Sequence, residues 1–230
     1  MTVQPVVMER DRPDRTDVAS SVRRGRVRRP TARALEREQE IFDVAAGILQ
    51  KKGYAATTLQ EIGSAVGLLK GSLYYYIDSK SDLLYRITRK IHDEAIANLA
   101  AARAANGPAA ARLHLLIEGH VLSFGRRLTS IRVFYTEYAA LPDDRRREIM
   151  AERRSYEEYV CELIREGMAD GSFCPDLDVR IVSNAILTMI NSVYVWYRPD
   201  RDDPIEKIAR SYADYALAGL RCPTEHGHTR

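Results

Sequence analysis

Cysteine is scarce in this chain of 230 residues. Cys161, Cys174 and Cys222 lie far apart and are odd in number, which fits neither a disulfide framework nor a zinc site. No apolar run approaches the length of a membrane span, and residues 1–33 lack the apolar segment of a secretory signal. The marks of common catalysis are missing as well. There is no Gly-Lys-Ser/Thr phosphate loop, no dinucleotide fingerprint, no His-Glu-x-x-His, and no serine or cysteine in a nucleophile elbow. His114 and His120 are six apart, so on one helix they would face different sides and could not share a metal. No strand, internal repeat or low-complexity segment stands out. These absences argue against a disulfide-rich secreted domain, a membrane protein and an enzyme. They leave a cytosolic, all-α chain with no catalytic residue, no metal ligand set and no cofactor.

What is present is a globular composition, 45% hydrophobic and 29% charged, with chain enough for one or two domains. It is organised around the stretch from Thr57 to Lys80. Thr58 is a hydroxyl N-cap with Glu61 three residues on, a capping box that starts a helix. Leu59, Ile62 and Val66 give that helix one apolar face, and Gly67 suits its C-terminus. Leu69–Ile77 forms a second helix of about two turns, with Leu73 and Ile77 four apart and turned back toward the first. Lys70, Gly71, Ser72, Tyr74, Tyr75 and Tyr76 remain around its surface, and Tyr76 could equally pack inward. A helix–turn–helix whose second helix is small, polar and aromatic has the shape that enters a DNA major groove. Ser72 and Tyr74 offer hydroxyls, Tyr75 flat apolar surface for a thymine methyl, Lys70 a cation, and Gly71 close backbone approach.

These residues carry a resemblance. From about Gln39 to Leu84 the chain is similar to the DNA-binding headpiece of the tetracycline-repressor (TetR) family of bacterial transcriptional regulators. The matching positions are a preceding amphipathic helix, Thr57-Thr58-Leu59, Glu61-Ile62, Gly67, Lys70-Gly71-Ser72-Leu73-Tyr74 and Ser79-Lys80 ahead of Leu83-Leu84. Leu69, Ile77 and Gly63 depart from the pattern, standing where the family usually has a serine or threonine cap, a phenylalanine and an alanine. The resemblance implies a dimer that reads a palindromic operator in double-stranded DNA, with Thr57, Thr58 and Lys80 among the DNA-contacting residues. It also implies a repressor released by a small molecule.

Charge is placed unevenly. The net charge is +3, yet residues 1–33 hold nine arginines against Glu9, Asp11, Asp14 and Asp17. So charged and apolar-poor an arm cannot bury enough to fold alone. Residues 34–80, by contrast, hold five basic side chains against six acidic ones. A DNA-binding unit with so little charge needs cations from elsewhere, because phosphate neutralisation supplies most of the affinity. Arg26, Arg28 and Arg29 are the candidates.

The rest of the chain reads as helices. Leu35–Lys52 braces the headpiece, and Ser81–Ala105 is a long amphipathic helix that could serve as a lever between domains. Ala109–Leu128, Ser130–Leu141, Asp143–Asp170, Val179–Tyr197 and Pro204–Leu220 follow, with Pro142, Gly171 and Pro199 as the stops after the second, third and fourth. Val179–Tyr197 is apolar on every side and so must be covered on every side, which points to a homodimer through a four-helix bundle with the last helix. His120, Phe124, Tyr135, Tyr138, Asn184, Met189 and Trp196 are the candidates to line an effector cavity. The divisions expected are an Arg-rich disordered arm (1–33), a helix–turn–helix domain (34–80), an effector-binding and dimerisation domain (81–221) and a flexible tail (222–230). Gly171-Ser172-Phe173, Pro175-Asp176-Leu177-Asp178 and Trp196-Tyr197-Arg198-Pro199 are similar to one C-terminal subtype of the family. That subtype implies an acyl-CoA thioester or a related lipid or steroid metabolite as effector, with Arg126, Arg127, Arg132, Arg153 and Arg154 as candidate phosphate partners. Two other readings stay open. One is a ligand-independent architectural DNA binder, favoured by a small apolar cavity or none. The other is a drug-responsive repressor of an efflux pump, favoured by an aromatic pocket.

Overall fold

Helix α1 (Ala32–Ala56) opens on Thr31, whose hydroxyl accepts from the Ala34 amide at 3.3 Å. It therefore starts three residues ahead of the expected Leu35, inside the segment assigned to the arm. The structure is a computed structural model that describes residues 31–222, and of Lys70 only the backbone. All regular structure among the described residues is helical. Ile41, Phe42, Ala45, Ala46 and Leu49 form the buried stripe of α1, and Gly53 (φ +78°) breaks it where the sequence indicated.

Two short helices complete the headpiece. In α2 (Leu59–Ala65) the Thr58 hydroxyl accepts from the Glu61 amide at 3.1 Å, as the capping pattern requires. Gly63 is buried, and a Cβ there would stand 3.0 Å from the Leu68 carbonyl oxygen, which explains the departure from alanine. The next helix, α3 (Lys70–Leu73), is shorter than expected and passes into turns through Tyr76. Leu69 stands at its N-cap and makes no side-chain cap bond, so one source of helix stability is absent. Leu73 and Ile77 are buried as their spacing predicts.

Helix α4 (Lys80–Ala104) leaves the headpiece and α5 (Ala109–Glu137) returns beside it. The two segments expected at Ala109–Leu128 and Ser130–Leu141 are one helix, kinked at Arg127 (φ −135°, ψ 27°) and followed by a 3-10 turn, Tyr138–Ala140. Neither a glycine nor a proline marks that kink, so the pattern overstated the break. Then come α6 (Asp143–Ala169), α7 (Val179–Asn191), the one-turn α8 (Val193–Trp196) and α9 (Ile205–Leu220). Asp178 caps α7 by accepting from the amides of Arg180 and Ile181, both at 3.0 Å.

The apolar residues form two cores. One joins α1, α2, α3 and the start of α4 to Val133 and Phe134 of α5, Leu141, and Ile149 of α6. The other fills the space among α4, α5, α6, α7 and α9. The headpiece is thus seated on the far end of α5 rather than hung from α4 alone.

Two expectations are corrected. Cys174 and Cys222 are paired in a disulfide, because the turn after α6 meets the end of α9 and the Cys174 amide donates to the Leu220 carbonyl at 2.8 Å. Cys222 is thereby fixed rather than part of a loose tail; the rest of the tail, residues 223–230, lies outside the described residues. Val179–Trp196 is, by length and composition, just apolar enough to cross a membrane, with a mean hydropathy of 1.2 over 18 residues. Only 22% of that stretch is buried within the chain. Ile181, Ala185 and Thr188 of α7 are exposed, as is Tyr215 of α9.

Candidate DNA-reading face and effector cavity

Gly71, Ser72, Tyr74 and Tyr75 form an exposed surface on α3 and the turn after it, with Tyr74 47% and Tyr75 85% exposed. No neighbouring atom lies within 4 Å of where a Gly71 Cβ would be, so backbone could approach a groove there. Tyr76 is half-buried and packs on the headpiece core with its ring edge-on to Tyr75. Lys70 opens α3, but its side chain lies outside the described residues, as do Arg26, Arg28 and Arg29.

Three expected contacts have internal work. Thr57 is buried, and its hydroxyl donates to the Gly53 carbonyl at 2.8 Å. The Lys80 ammonium donates to the carbonyls of Tyr54 (2.8 Å) and Thr57 (2.9 Å) and lies 4.3 Å over the Tyr54 ring. It closes the open C-terminal end of α1, where unpaired carbonyls and the helix dipole attract a cation. Thr58 is exposed but serves as the cap of α2. Of the candidates with described side chains, Gly71, Ser72, Tyr74 and Tyr75 are therefore the exposed ones without an internal role.

A cavity of about 320 Å³ lies among α4, α5, α6 and α7. His120 and Asn184 line it, as expected from sequence. The other candidates do not. Phe124 is buried beside His120 against a separate void of about 40 Å³. Tyr135 stacks on Tyr194 at 4.2 Å, and Tyr138 packs edge-on to Phe134 in the headpiece core. Met189 packs on the C-terminal core, and the half-exposed Trp196 stacks on Tyr212. Each of these is apolar surface spent on helix packing.

The groups that the sequence reading missed here are His92, Glu152, Tyr156 and Thr188, while Asn191, a polar residue on the apolar α7 that needs a partner, also lines the cavity. His92 sits on the inner stripe of α4, one residue past Ile91, where only a break in an apolar run hinted at it. Burial holds His92 neutral, with its pKa lowered to about 4, and the nearby Arg89 and Arg153 guanidinia push the same way. Burial also lowers His120 to about 4, against a hydrogen bond at 3.1 Å between its Nε2 and the acceptor Asn191 Oδ1, which raises it. Tyr156 is pushed up by burial. Of the five arginines considered for phosphates, Arg153 and Arg154 line the cavity. Arg127 pairs with Glu94, Arg126 lies 3.6 Å from the same carboxylate, and Arg132 donates to the carbonyls of Tyr194 and Tyr197.

The family model described as bacterial regulatory proteins, tetR family, matches residues 41–87, and that of the tetracyclin repressor-like C-terminal domain matches residues 106–220. The chain belongs to the TetR family. It is accordingly a DNA-binding transcription regulator rather than an enzyme. Among its TetR relatives, the HTH-type transcriptional repressor KstR2 of Rhodococcus jostii is 27% identical over 188 residues, covering 81% of this chain and 92% of that protein. PfmR, a TetR-family regulator of Thermus thermophilus, superposes with a TM-score of 0.72 at 30% identity, over 79% of this chain and 99% of its own. AibR, solved in complex with isovaleryl coenzyme A and operator DNA, gives a TM-score of 0.67 at 25% identity, over 80% of this chain and 97% of its own. The TetR architecture accounts for the order of elements found here: a helix–turn–helix unit first, then a helical domain with the cavity.

Proposed function

We propose that this regulator is a homodimeric repressor that leaves its operator when an acyl-CoA thioester, or a related lipid- or steroid-derived metabolite, fills the cavity. The observation that carries the reading is the position of the cavity. It is walled by α4, which leads to the headpiece, and by Phe134, which belongs to the headpiece core and meets the His92 ring edge-on at 5.1 Å. A ligand that displaces either wall acts on the seat of the reading helix. Arg89 adds a polar link, bonding Glu152 of the cavity wall at 2.7 Å and its own neighbour Asp93 at 2.8 Å. Arg86, one turn earlier on α4, holds Glu38 at 2.8 Å and the Tyr76 carbonyl at 2.7 Å.

Size and polarity narrow the ligand. The volume is near the low end of the ~300–1,000 Å³ usual for small-molecule sites. It takes an acyl group or a small ring system, while a nucleotide would stay at the mouth beside Arg154. AibR, with isovaleryl coenzyme A, and the fatty acid metabolism regulator protein of Bacillus subtilis, 21% identical over 184 residues, support the same class. A cavity with several polar walls disfavours the architectural reading, and one with few aromatics disfavours the drug sensor. Gly71, Ser72, Tyr74 and Tyr75 would read base edges and phosphates, with Lys70 and the arm arginines supplying charge. The exposed apolar faces of α7 and α9 would pair across a two-fold axis, giving two headpieces for a palindrome. Such a regulator works on the chromosome, in the cytoplasm.

Linkage fixes the energetics. A ligand that favours the conformation with badly spaced headpieces weakens DNA binding by the factor by which DNA weakens ligand binding. The test is to select an operator from random duplexes with the purified protein, then challenge the complex with acyl-CoA and steroid-CoA thioesters, their free acids and cationic drugs. Release by a thioester and not by its free acid is expected. Release by cationic drugs alone would turn the reading toward efflux control, and no release at all toward the architectural binder.

A further inference from the structure

The cavity has buried polar groups in its wall. Its rim is made of exposed side chains, among them Ile96, Met150, Arg154 and Thr188, whereas His92, Phe134 and Tyr156 lie deep. His92 is only 7% exposed, and its Nε2 has no hydrogen-bond partner. Its Nδ1 is 3.9 Å from Glu152 Oε2, too far for a hydrogen bond. Arg153 sits beside it, half-buried, with its guanidinium 5.8 Å from the Phe134 ring and 5.9 Å from that of Tyr135. Among the described residues no carboxylate lies within ion-pair distance of Arg153. Glu152, the nearest acid in sequence, is already bound to Arg89 at 2.7 Å. The cavity wall thus holds a half-buried cation without a carboxylate partner, a buried imidazole whose Nε2 is unsatisfied, and the unpaired Glu152 Oε2.

A saturated acyl tail laid against these groups would leave His92 Nε2 without a partner and take water from the Arg153 guanidinium with nothing in exchange, and a buried polar group without a partner keeps its full desolvation cost. We infer that the acyl part of the effector carries an oxygen acceptor, a carboxylate or a ketone, at the end remote from the thioester, and that Arg153 receives it with the His92 imidazole alongside. The inference rests on the thioester reading above and adds to it the chemistry of the buried end. It makes Arg153 the residue that separates functionalised acyl groups from plain fatty ones.

The experiment is calorimetric titration of the full-length protein with three thioesters of one chain length: hexanoyl-CoA, 5-oxohexanoyl-CoA and adipoyl-CoA. One of the two oxygenated probes is expected to bind about tenfold tighter than hexanoyl-CoA, or more, as a charge-assisted hydrogen bond provides. Which of the two wins tells ketone from carboxylate. Arg153→Gln should remove the preference, leaving the oxygenated probe no tighter than hexanoyl-CoA on the same variant, while keeping helicity and operator binding. Arg153→Lys, which keeps the charge, should retain part of it. Equal or tighter binding of hexanoyl-CoA, or a preference that survives Arg153→Gln, would overturn the inference and leave the thioester reading in place. Failure of all three probes to bind the wild-type protein would overturn both.

Discussion

Thr57 and His92 are both buried polar side chains, one in the headpiece and one in the effector domain, and they are satisfied very differently. Thr57 donates to Gly53 within its own turn. Around it, Lys80 closes the end of α1, Arg86 ties α4 to Glu38 and Tyr76, and Lys90 donates to Gln39 at 2.6 Å. Among the described residues the buried polar atoms without partners all lie from Thr88 to Ser183, and they include the His92 Nε2 and the Glu152 Oε2 beside the cavity. The headpiece is a closed account of hydrogen bonds, suited to holding a reading surface in one geometry. The effector domain keeps unmet demand and empty volume at its centre. A ligand changes what it can satisfy there, so that is where a binding event can move the structure.

The sharpest way to break this contrast is to compare adjacent residues of the reading unit. Tyr74→Ala removes an exposed ring and should leave thermal stability unchanged. At about 1–3 kcal/mol per base contact, and with two headpieces engaged, operator affinity should fall roughly hundredfold or more. Leu73→Ala, one residue earlier, cuts into the core and should cost about 2–5 kcal/mol of stability. Circular dichroism melts beside gel-shift titrations separate the two. If Tyr74→Ala unfolds the headpiece, its surface is not free for DNA.

A second comparison concerns how each region is held. The disulfide closes a loop between residues 48 apart in sequence, and loop-closure entropy then gives about 4 kcal/mol as an upper bound. Cys174→Ser should destabilise the effector domain by up to that amount in oxidising buffer and by far less with dithiothreitol present. Headpiece DNA contacts should be unaffected at temperatures where the domain remains folded. Equal melting of oxidised and reduced wild-type protein would show that the bridge contributes nothing.

Acid should act on the effector domain through its two buried imidazoles. Both have folded pKa values lowered to about 4 from an ordinary 6.5. Above pH ~6.5 folded and unfolded chains both carry them neutral, so their contribution to stability is complete. As pH falls toward 4 the unfolded chain takes up protons that the folded one refuses, and stability is lost, by at most about 3 kcal/mol for each histidine. Carboxylates titrate in the same window, so the measurement is a difference. His120→Gln should flatten the fall in melting temperature between pH 7 and pH 4.5 relative to wild type, and a parallel fall would remove His120 from the cause.

The two regions also differed in how far the sequence revealed them. Headpiece structure depends on neighbours in the chain. Thr58 caps three residues ahead, Gly67 turns, and Leu73 and Ile77 face inward, so spacing alone located them. The cavity depends on residues from four helices meeting. His92, Glu152 and Tyr156 are set by how α4 and α6 cross, which no local pattern encodes. Aromatic residues drew attention there because they are conspicuous, and five of the seven candidates pack between helices away from the cavity. The Cys174–Cys222 pair was hidden for the same reason, since only the docking of α9 brings the two together.

Lys80 gives the smallest expected effect and tests the closed headpiece most directly. The family resemblance makes it a phosphate contact, while its two short carbonyl bonds and its place over Tyr54 make it the clamp on the end of α1. A lysine that neutralises one phosphate contributes about 0.9 to the slope of log affinity against log salt for each protomer. A clamp contributes nothing to that slope. Lys80→Met should therefore weaken operator binding only modestly, leave the salt slope at the wild-type value, and lower stability by about 1–2 kcal/mol through the lost charged hydrogen bonds. Deleting residues 1–30 should do the reverse, flattening the slope without touching the melt. If instead Lys80→Met flattens the slope by nearly two units, the ammonium leaves its carbonyls on the operator. The headpiece would then share the ligand-dependent rearrangement assigned here to the effector domain.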